Sequence, residues 1–499
     1  MDFTLAQVLI VPLVFTPIAY VAGRKLGKQT GWITALPLAY TLVLLLLVAY
    51  GIRNGGSITE TYLWVPLSNL NLTFGLKADG LSIWMAMTIN ILCLLVGVYS
   101  IRYMEHRFHE EGHEASPNDY AAYYALYLLY AVGMLGTVLA TNMIQFYLFY
   151  ELMLVPSWAL INNYGYGERE RIGMMYFLWT HVGAVILLAG LLTSAWITGS
   201  FEISSLNAVV SSPMANWIAF AILIGFFVKM AVFGLHIWLP YAHAEAPTPI
   251  SALLSPAMIG IGAYAATRLV VIPMNDVFSR FSFIFAVWAL ITMVYGGLMA
   301  LAQDDVKRFL AYSSVSQMGY IFLGLASATP FGVAGAIFHY VSHGLGKGIL
   351  FLTAGILITQ TETRSIKKLG GLAAKMPLTA TLCLLGFFTI SGVPPTIGFM
   401  SKWVIFSGVF TGALEAASVN MLIIAVASII MTVLTVGYSL WTVRRIFFGP
   451  LPEHLREVKE APPIMTIPLL ILAICSVIIG IYPKLITDYL FPAVQSLFP

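Results

Sequence analysis

Lys229 is the only formally charged residue in an apolar run from Trp217 to Leu239, which Pro240 ends. An ammonium at bilayer depth costs about 2.5–3.5 kcal/mol, so such a group faces a partner or a wet cavity and marks an ion path. Glu151 sits in TNMIQFYLFYELMLVPSWALI, with membrane-quality residues on both sides. Opposite charges whose separation changes can pass a proton, because mutual attraction favours both charged forms and burial opposes them. Lys229, His236 and His243 recur every seven residues, which on a continuous helix returns to nearly one face. Pro240 would remove the hydrogen bond to the His236 carbonyl, and Pro247 and Pro249 interrupt the next stretch. The plainer reading of that stretch is a proline kink with core histidines. In AIFHYVSHGLGKGILFL, His339, His343 and Lys347 are spaced four apart and share one helical stripe. In lipid that stripe reads as a relay of protonatable groups. Two histidines at this spacing could hold a metal, yet no carboxylate lies nearby in sequence. Lys402 follows the Pro394-Pro395 pair in GFFTISGVPPTIGFMSKWVIF, a second proline-broken apolar run.

The elements that position these groups are membrane helices. The 499 residues are 59% hydrophobic and 9% charged, against about 25% charged in soluble domains. Stretches of about 20 apolar residues span the hydrocarbon core. The chain holds about 14 of them, near 6–22, 31–52, 81–101, 120–139, 142–162, 172–197, 216–249, 250–273, 280–302, 309–327, 331–359, 377–411, 419–448 and 464–486. Backbone groups in lipid must be satisfied within the segment and the alternation of a barrel is absent, so the fold class is an all-α polytopic membrane protein. Paired interrupted helices in the two halves point to an inverted-repeat transporter with its ion site near the midplane. The expected organisation is residues 1–119 as three N-terminal helices, 120–273 and 280–448 as two repeats, and 449–499 as a C-terminal loop and helix.

Most of the 25 Lys and Arg fall in odd-numbered loops, whereas the even loops and tails hold Arg53, Lys77, Arg268, Arg280 and Lys484. Positive-inside bias then puts the odd loops in the cytoplasm and both termini outside. The first segment lacks a basic leader and a small-residue cleavage site before Gly23, and reads as a retained helix. Cys93, Cys383 and Cys475 lie far apart in apolar helices and read as small core residues. Nothing here suits an iron–sulfur cluster or a nucleotide loop. His109-Glu110-Glu111-Gly112-His113 matches HExxH. Gly112 and Ser116-Pro117 weaken any helix there, so a zinc protease is rejected. The net charge of +3 is accounted for by the loops, and no basic tract interleaved with aromatics suggests nucleic acid.

VKMAVFGLHIWLPYAHAEAPTPISALLSPAM, DDVKRFLAYSSVSQMGYIFLG, FHYVSHGLGKGILFL and GVPPTIGFMSKW, with ADGLS opening the third helix, resemble the antiporter-like proton-translocating subunits of respiratory complex I. The resemblance covers nearly the whole chain, and FYLFYELMLVPSWALI is most similar to the M subunit, or chain 4. It implies 14 helices, two inverted five-helix repeats and a hydrophilic axis in the membrane plane. Glu151 matches the acid of the fifth helix, Lys229 the lysine of the broken seventh, and His339, His343 and Lys347 the polar line of the eleventh. Lys402 stands at the ionisable position of the twelfth, where M subunits commonly have glutamate and L and N subunits lysine. M subunits also commonly have a lysine where this chain has Gly260, so water, His243 or Tyr264 would have to bridge that point.

The expectation is a proton-pumping membrane subunit of a complex I-like NADH (or equivalent donor):quinone oxidoreductase in a cell (inner) membrane. Flavin and iron–sulfur clusters would lie in partner subunits and no cofactor in this chain. Its partners would be other membrane subunits, the lipid bilayer and protons. The alternative is an Mrp-type cation/proton antiporter component, and a third reading is a structural spacer.

Overall fold

A computed structural model of the chain describes residues 4–53, 55–66, 72–110 and 116–498. In chain order the main elements are α1 (Thr4–Leu26), α2 (Thr30–Ile52), β1 (Ile58–Val65), β2 (Leu72–Ala78), α3 (Ser82–Glu110), α4 (Pro117–Leu139), α5 (Met143–Tyr164) and α6 (Arg169–Thr198). There follow α7 (Ala215–Met230), α8 (Trp238–Glu245), α9 (Thr248–Val271), α10 (Ser282–Leu301), α11 (Val306–Ala326) and α12 (Pro330–Thr361). The chain closes with α13 (Pro377–Ser391), α14 (Ile397–Glu415), α15 (Val419–Phe447), α16 (Pro463–Ile481) and α17 (Lys484–Leu497). Among the described residues, 12 segments are long and apolar enough to cross a membrane, one of them holding both α1 and α2. The chain is a polytopic helical membrane protein. His109 and Glu110 end α3, while the remaining HExxH positions lie outside the described residues.

Burial sorts the helices. The apolar windows of α9 and α12 are wholly inside the protein, whereas α15 turns Val419, Ile423, Val426, Ile430 and Val433 outward. Water would reject such a face, but lipid accepts it, since hydrocarbon is as apolar as the side chains. The central α12 packs against α3, α9, α11, α13, α14, α16 and α17.

Two elements go beyond the apolar-run reading. β1 and β2 form an antiparallel hairpin from the alternating, β-branched and aromatic ITETYLWV. Its Glu60 accepts from the N–H groups of Leu5 (2.8 Å) and Ala6 (2.9 Å), capping α1. Too short and too polar to span, α17 buries Ile486, Leu490 and Val494 at helical spacing.

The seventh segment breaks upstream of where the proline suggests. α7 ends at Met230 with Ala231 and Gly234 at positive φ (54° and 87°), and α8 restarts at Trp238. Pro240 is the third residue of α8, where a helix N–H has no intrahelical acceptor anyway. The carbonyl of His236 accepts from Leu239 N at 2.9 Å, so Pro240 leaves no orphan there. Backbone groups freed by the break are met by indoles. Trp238 donates to Val228 O (2.9 Å), Trp179 to Leu235 O (3.0 Å) and Trp288 to Phe233 O (2.9 Å). This is how irregular backbone survives at membrane depth. Because the helix is interrupted, the seven-residue spacing of Lys229, His236 and His243 does not put them on one stripe. The twelfth segment breaks at its prolines: α13 ends at Ser391, Gly392 takes φ 79°, and α14 begins after Thr396. A Cβ on Gly398 would lie 1.7 Å from Thr389 O, so only glycine allows the two halves to meet.

At the start of α3, Asp79 accepts from the N–H groups of Leu81 (3.0 Å) and Ser82 (3.1 Å) and pairs with Arg268. Burial opposes its charge, but the Arg268 guanidinium and nearby Lys77 outweigh it and hold the carboxyl at about 2, below its ordinary 3.8. A depressed value means the stabilisation is present above 3.8 and lost as pH falls through about 2. Asp79→Ala strands a buried guanidinium and should cost about 3–5 kcal/mol. The thermal midpoint of the detergent-extracted protein measures this, and an unchanged midpoint would reject the tie.

Candidate functional site

Three groups of ionisable side chains lie inside the helices. In the first, Lys229, 1% exposed on the last turn of α7, lays its Nζ 4.7 Å from the centre of the Tyr150 ring. It meets no hydrogen-bond partner among the described residues. Glu151, one residue further along α5, pairs with His181 of α6 instead, Oε2 to Nδ1 at 3.1 Å. The expected Glu151–Lys229 ion pair is not among the ion pairs of the described residues, because α5 turns Tyr150 rather than Glu151 toward Lys229.

The second group is central. His343 and Lys347 on α12 and His243 on α8 are fully buried. His243 stacks on Phe351 with centroids 4.9 Å apart, and neither ring nitrogen of His243 or His343 has a partner among the described residues. His343 lies within coulombic range of Lys347, His339 and His243. Lys347 donates to Leu310 O at 2.9 Å and to the Ser313 hydroxyl, both on α11.

The third group runs from α12 to α14. His339 bonds Ser401 Oγ through Nδ1 (2.9 Å) and Gln317 Oε1 through Nε2 (3.2 Å). Lys402 stands over Tyr320 at 4.2 Å and reaches Ser391 O, the end of α13, at 3.5 Å. The α12 stripe therefore joins the second and third groups, as its spacing implies. His236 belongs to none of the three: its Nδ1 accepts from Gly234 N at 3.2 Å, and its ring packs on Phe233 and Tyr295.

Gly260 has a physical reason. A Cβ there would lie 2.0 Å from Cδ2 of Tyr340, whose ring fills the space and whose hydroxyl donates to Ala257 O at 3.1 Å. Tyr264 cannot serve as the bridge from the middle, since its hydroxyl is engaged by Val138 O (2.7 Å) and Arg268 Nε (3.0 Å).

Sequence reasoning missed Tyr150, His181, Gln317 and Ser401, which are ordinary helix residues until the packing is known. It also took Lys307 for a loop charge, whereas Lys307 is fully buried. The signal was Asp305, whose carboxylate caps α11 and so draws Lys307 into its first turn. The described residues contain no group of three or more His, Cys, Asp and Glu that could hold a metal.

Broken helices, apolar outer faces and three groups of buried lysines and histidines define an ion-translocating membrane protein. The family described as NADH:quinone oxidoreductase/Mrp antiporter, transmembrane, matches residues 140–435. One described as NADH-ubiquinone oxidoreductase (complex I), chain 5 N-terminus, matches 64–113. The chain belongs to the NADH:quinone oxidoreductase/Mrp antiporter family. It is 32% identical to F(420)H(2) dehydrogenase subunit M of Methanosarcina mazei, covering 96% of this chain and 95% of that one. It is 34% identical to a Na(+)/H(+) antiporter subunit of Alkalihalophilus pseudofirmus, covering 97% of this chain but only 62% of that protein. Respiratory complex I from Thermus thermophilus contains a chain that superposes with a TM-score of 0.85 at 25% identity, over 99% of this chain and 98% of that one.

Gly260→Ala should fail to assemble or lose about 1–3 kcal/mol by overpacking, and Gly260→Ala with Tyr340→Leu should recover. Yield and thermal midpoint in detergent decide, and a stable Gly260→Ala single variant would reject the packing account.

Proposed function

We propose that this chain is the proton-translocating membrane subunit of a complex I-like oxidoreductase, coupling electron transfer in other subunits to proton movement. The observation that carries the reading is the burial of Lys229, His243, His343, Lys347, His339 and Lys402, none of which has a carboxylate within ion-pair distance among the described residues. Structural ion pairs would be neutralised; cations and imidazoles held by hydroxyls, carbonyls and ring faces can gain and lose protons. Buried polar nitrogens of this kind are ordinarily met by ordered water, which also conducts protons.

In the proposed sequence, a charge change in a neighbouring subunit perturbs the Glu151–His181 pair and through it Lys229. Lys229 then exchanges its proton with the His243, His343 and Lys347 group, and the proton passes by His339 to Lys402 for release outside. His236 holds the break between α7 and α8. We assign the odd loops to the cytoplasm and both termini to the outside of a cell membrane. Residues 120–273 and 280–448 form the two inverted repeats of a 14-helix subunit, between helices 1–119 and a C-terminal part 449–499. The similar breaks at 231–237 and 392–396 support that pairing. Electron-carrying flavin and iron–sulfur groups are assigned to partner subunits; the three cysteines here are scattered and fall short of the four thiolates of an all-cysteine cluster.

The second reading, a component of an Mrp-type cation/proton antiporter, is favoured by the 34% identity to the sodium/proton antiporter protein. Mass spectrometry of the complex co-purified from native membranes separates the two. Flavin and iron–sulfur subunits are expected, and a set of small membrane subunits alone would overturn the redox reading. In vesicles holding the complex, Lys229→Ala should abolish most proton translocation under either reading. Full retention would leave only a spacer.

A further inference from the structure

The C-terminal turn of α8 is gripped from three elements at once. Lys307 of α11 donates to Ala246 O and to Ala244 O (3.4 Å). Arg364, from the loop after α12, donates to the same Ala244 O at 2.7 Å, and Tyr166 N, from the loop between α5 and α6, donates to Glu245 O at 2.7 Å. The carbonyls that an eight-residue helix leaves over at its C-terminus are thus taken up by two cations and an amide, at the negative pole of its dipole. Lys307 is fully buried and has no carboxylate within ion-pair distance among the described residues. Its charge is met by those carbonyls and by the face of Tyr166, 5.3 Å away. Arg364 is braced in turn by Asp305 at 2.8 Å, the residue that caps α11.

His243 lies one residue before the first gripped carbonyl, and its own carbonyl accepts from Ser251 Oγ at 3.2 Å. At its other end α8 follows the broken stretch 231–237 and is held by Trp238, which donates to Val228 O at 2.9 Å, so the grip is what fixes the C-terminal turn beside which the His243 ring stands against Phe351 on α12. Without the grip the C-terminal turn that carries His243 loses its backbone anchors, and misplacing a proton-exchanging group by about 1 Å can cost roughly 100-fold in rate.

We propose that Lys307 and Arg364 form a cation clamp on the C-terminus of α8 and act as positioning residues for proton exchange at His243. This rests on the proposed proton-translocating function. The test compares Lys307→Met, Lys307→Arg and Arg364→Met with wild type and Lys229→Ala, all in the full complex in native membrane vesicles. At matched complex content, vesicle acidification is read alongside the driving reaction, whether electron donor or sodium gradient energises the wild type.

Lys307→Met should lower protons moved per turnover roughly 10-fold or more, and Lys307→Arg should restore most of it. Unchanged translocation in an assembled Lys307→Met overturns the clamp. Where Lys307→Met does not assemble, Arg364→Met decides by the same ratio: a fall supports the clamp and wild-type coupling overturns it. Translocation that survives Lys229→Ala contradicts the proposed function itself, whatever the clamp variants do.

Discussion

Every backbone polar group at membrane depth must find its partner inside the protein or in enclosed water, and the architecture follows from that constraint. An unbroken helix satisfies its own backbone and leaves no main-chain group over. The two breaks, at 231–237 and 392–396, release carbonyls and amides, and the surrounding helices are arranged to receive them. Three indoles serve the first break. At the second, Thr396 Oγ1 donates to Val393 O (2.7 Å) and Phe388 O (3.3 Å), and Lys402 reaches Ser391 O.

Charges obey the same rule by a different route. Toward the ends of the spans and beyond them, cations are matched by acids: Asp79 with Arg268, Asp305 with Arg364, Glu105 with Lys28. Within them the lysines are held by neutral acceptors and ring faces: Lys347 by Leu310 O and Ser313, Lys229 by Tyr150, Lys402 by Tyr320. A buried ammonium tied to a carboxylate is locked as a salt bridge, and removing either partner is strongly destabilising. One tied to hydroxyls and π-faces gives up its proton with far less rearrangement, which suits a relay rather than a scaffold.

Spacing alone revealed the α12 stripe, because four-residue periodicity survives in any straight helix. It misplaced the first break, since Pro240 is the conspicuous residue, while the chain turns at Ala231 and Gly234. Gly234 permits a turn, but nothing in the sequence shows that Ala231 takes a positive φ or that Trp238, Trp179 and Trp288 satisfy the exposed backbone. The hairpin and α17 escaped notice because hydropathy finds spans, and neither is one. Glu151 stands out as a candidate from its apolar flanks, but its partner His181 is a tertiary fact. Likewise Gly260 read as a gap in the relay until the Tyr340 ring was seen filling its place.

The central claim is that the buried lysines exchange protons. Lys347→Met keeps the length and apolar stem of the side chain and removes the amine that would carry the proton. In sealed native vesicles at matched complex content, the account predicts that the driving reaction continues while vesicle acidification is largely lost. Undiminished acidification at that rate of turnover would contradict it.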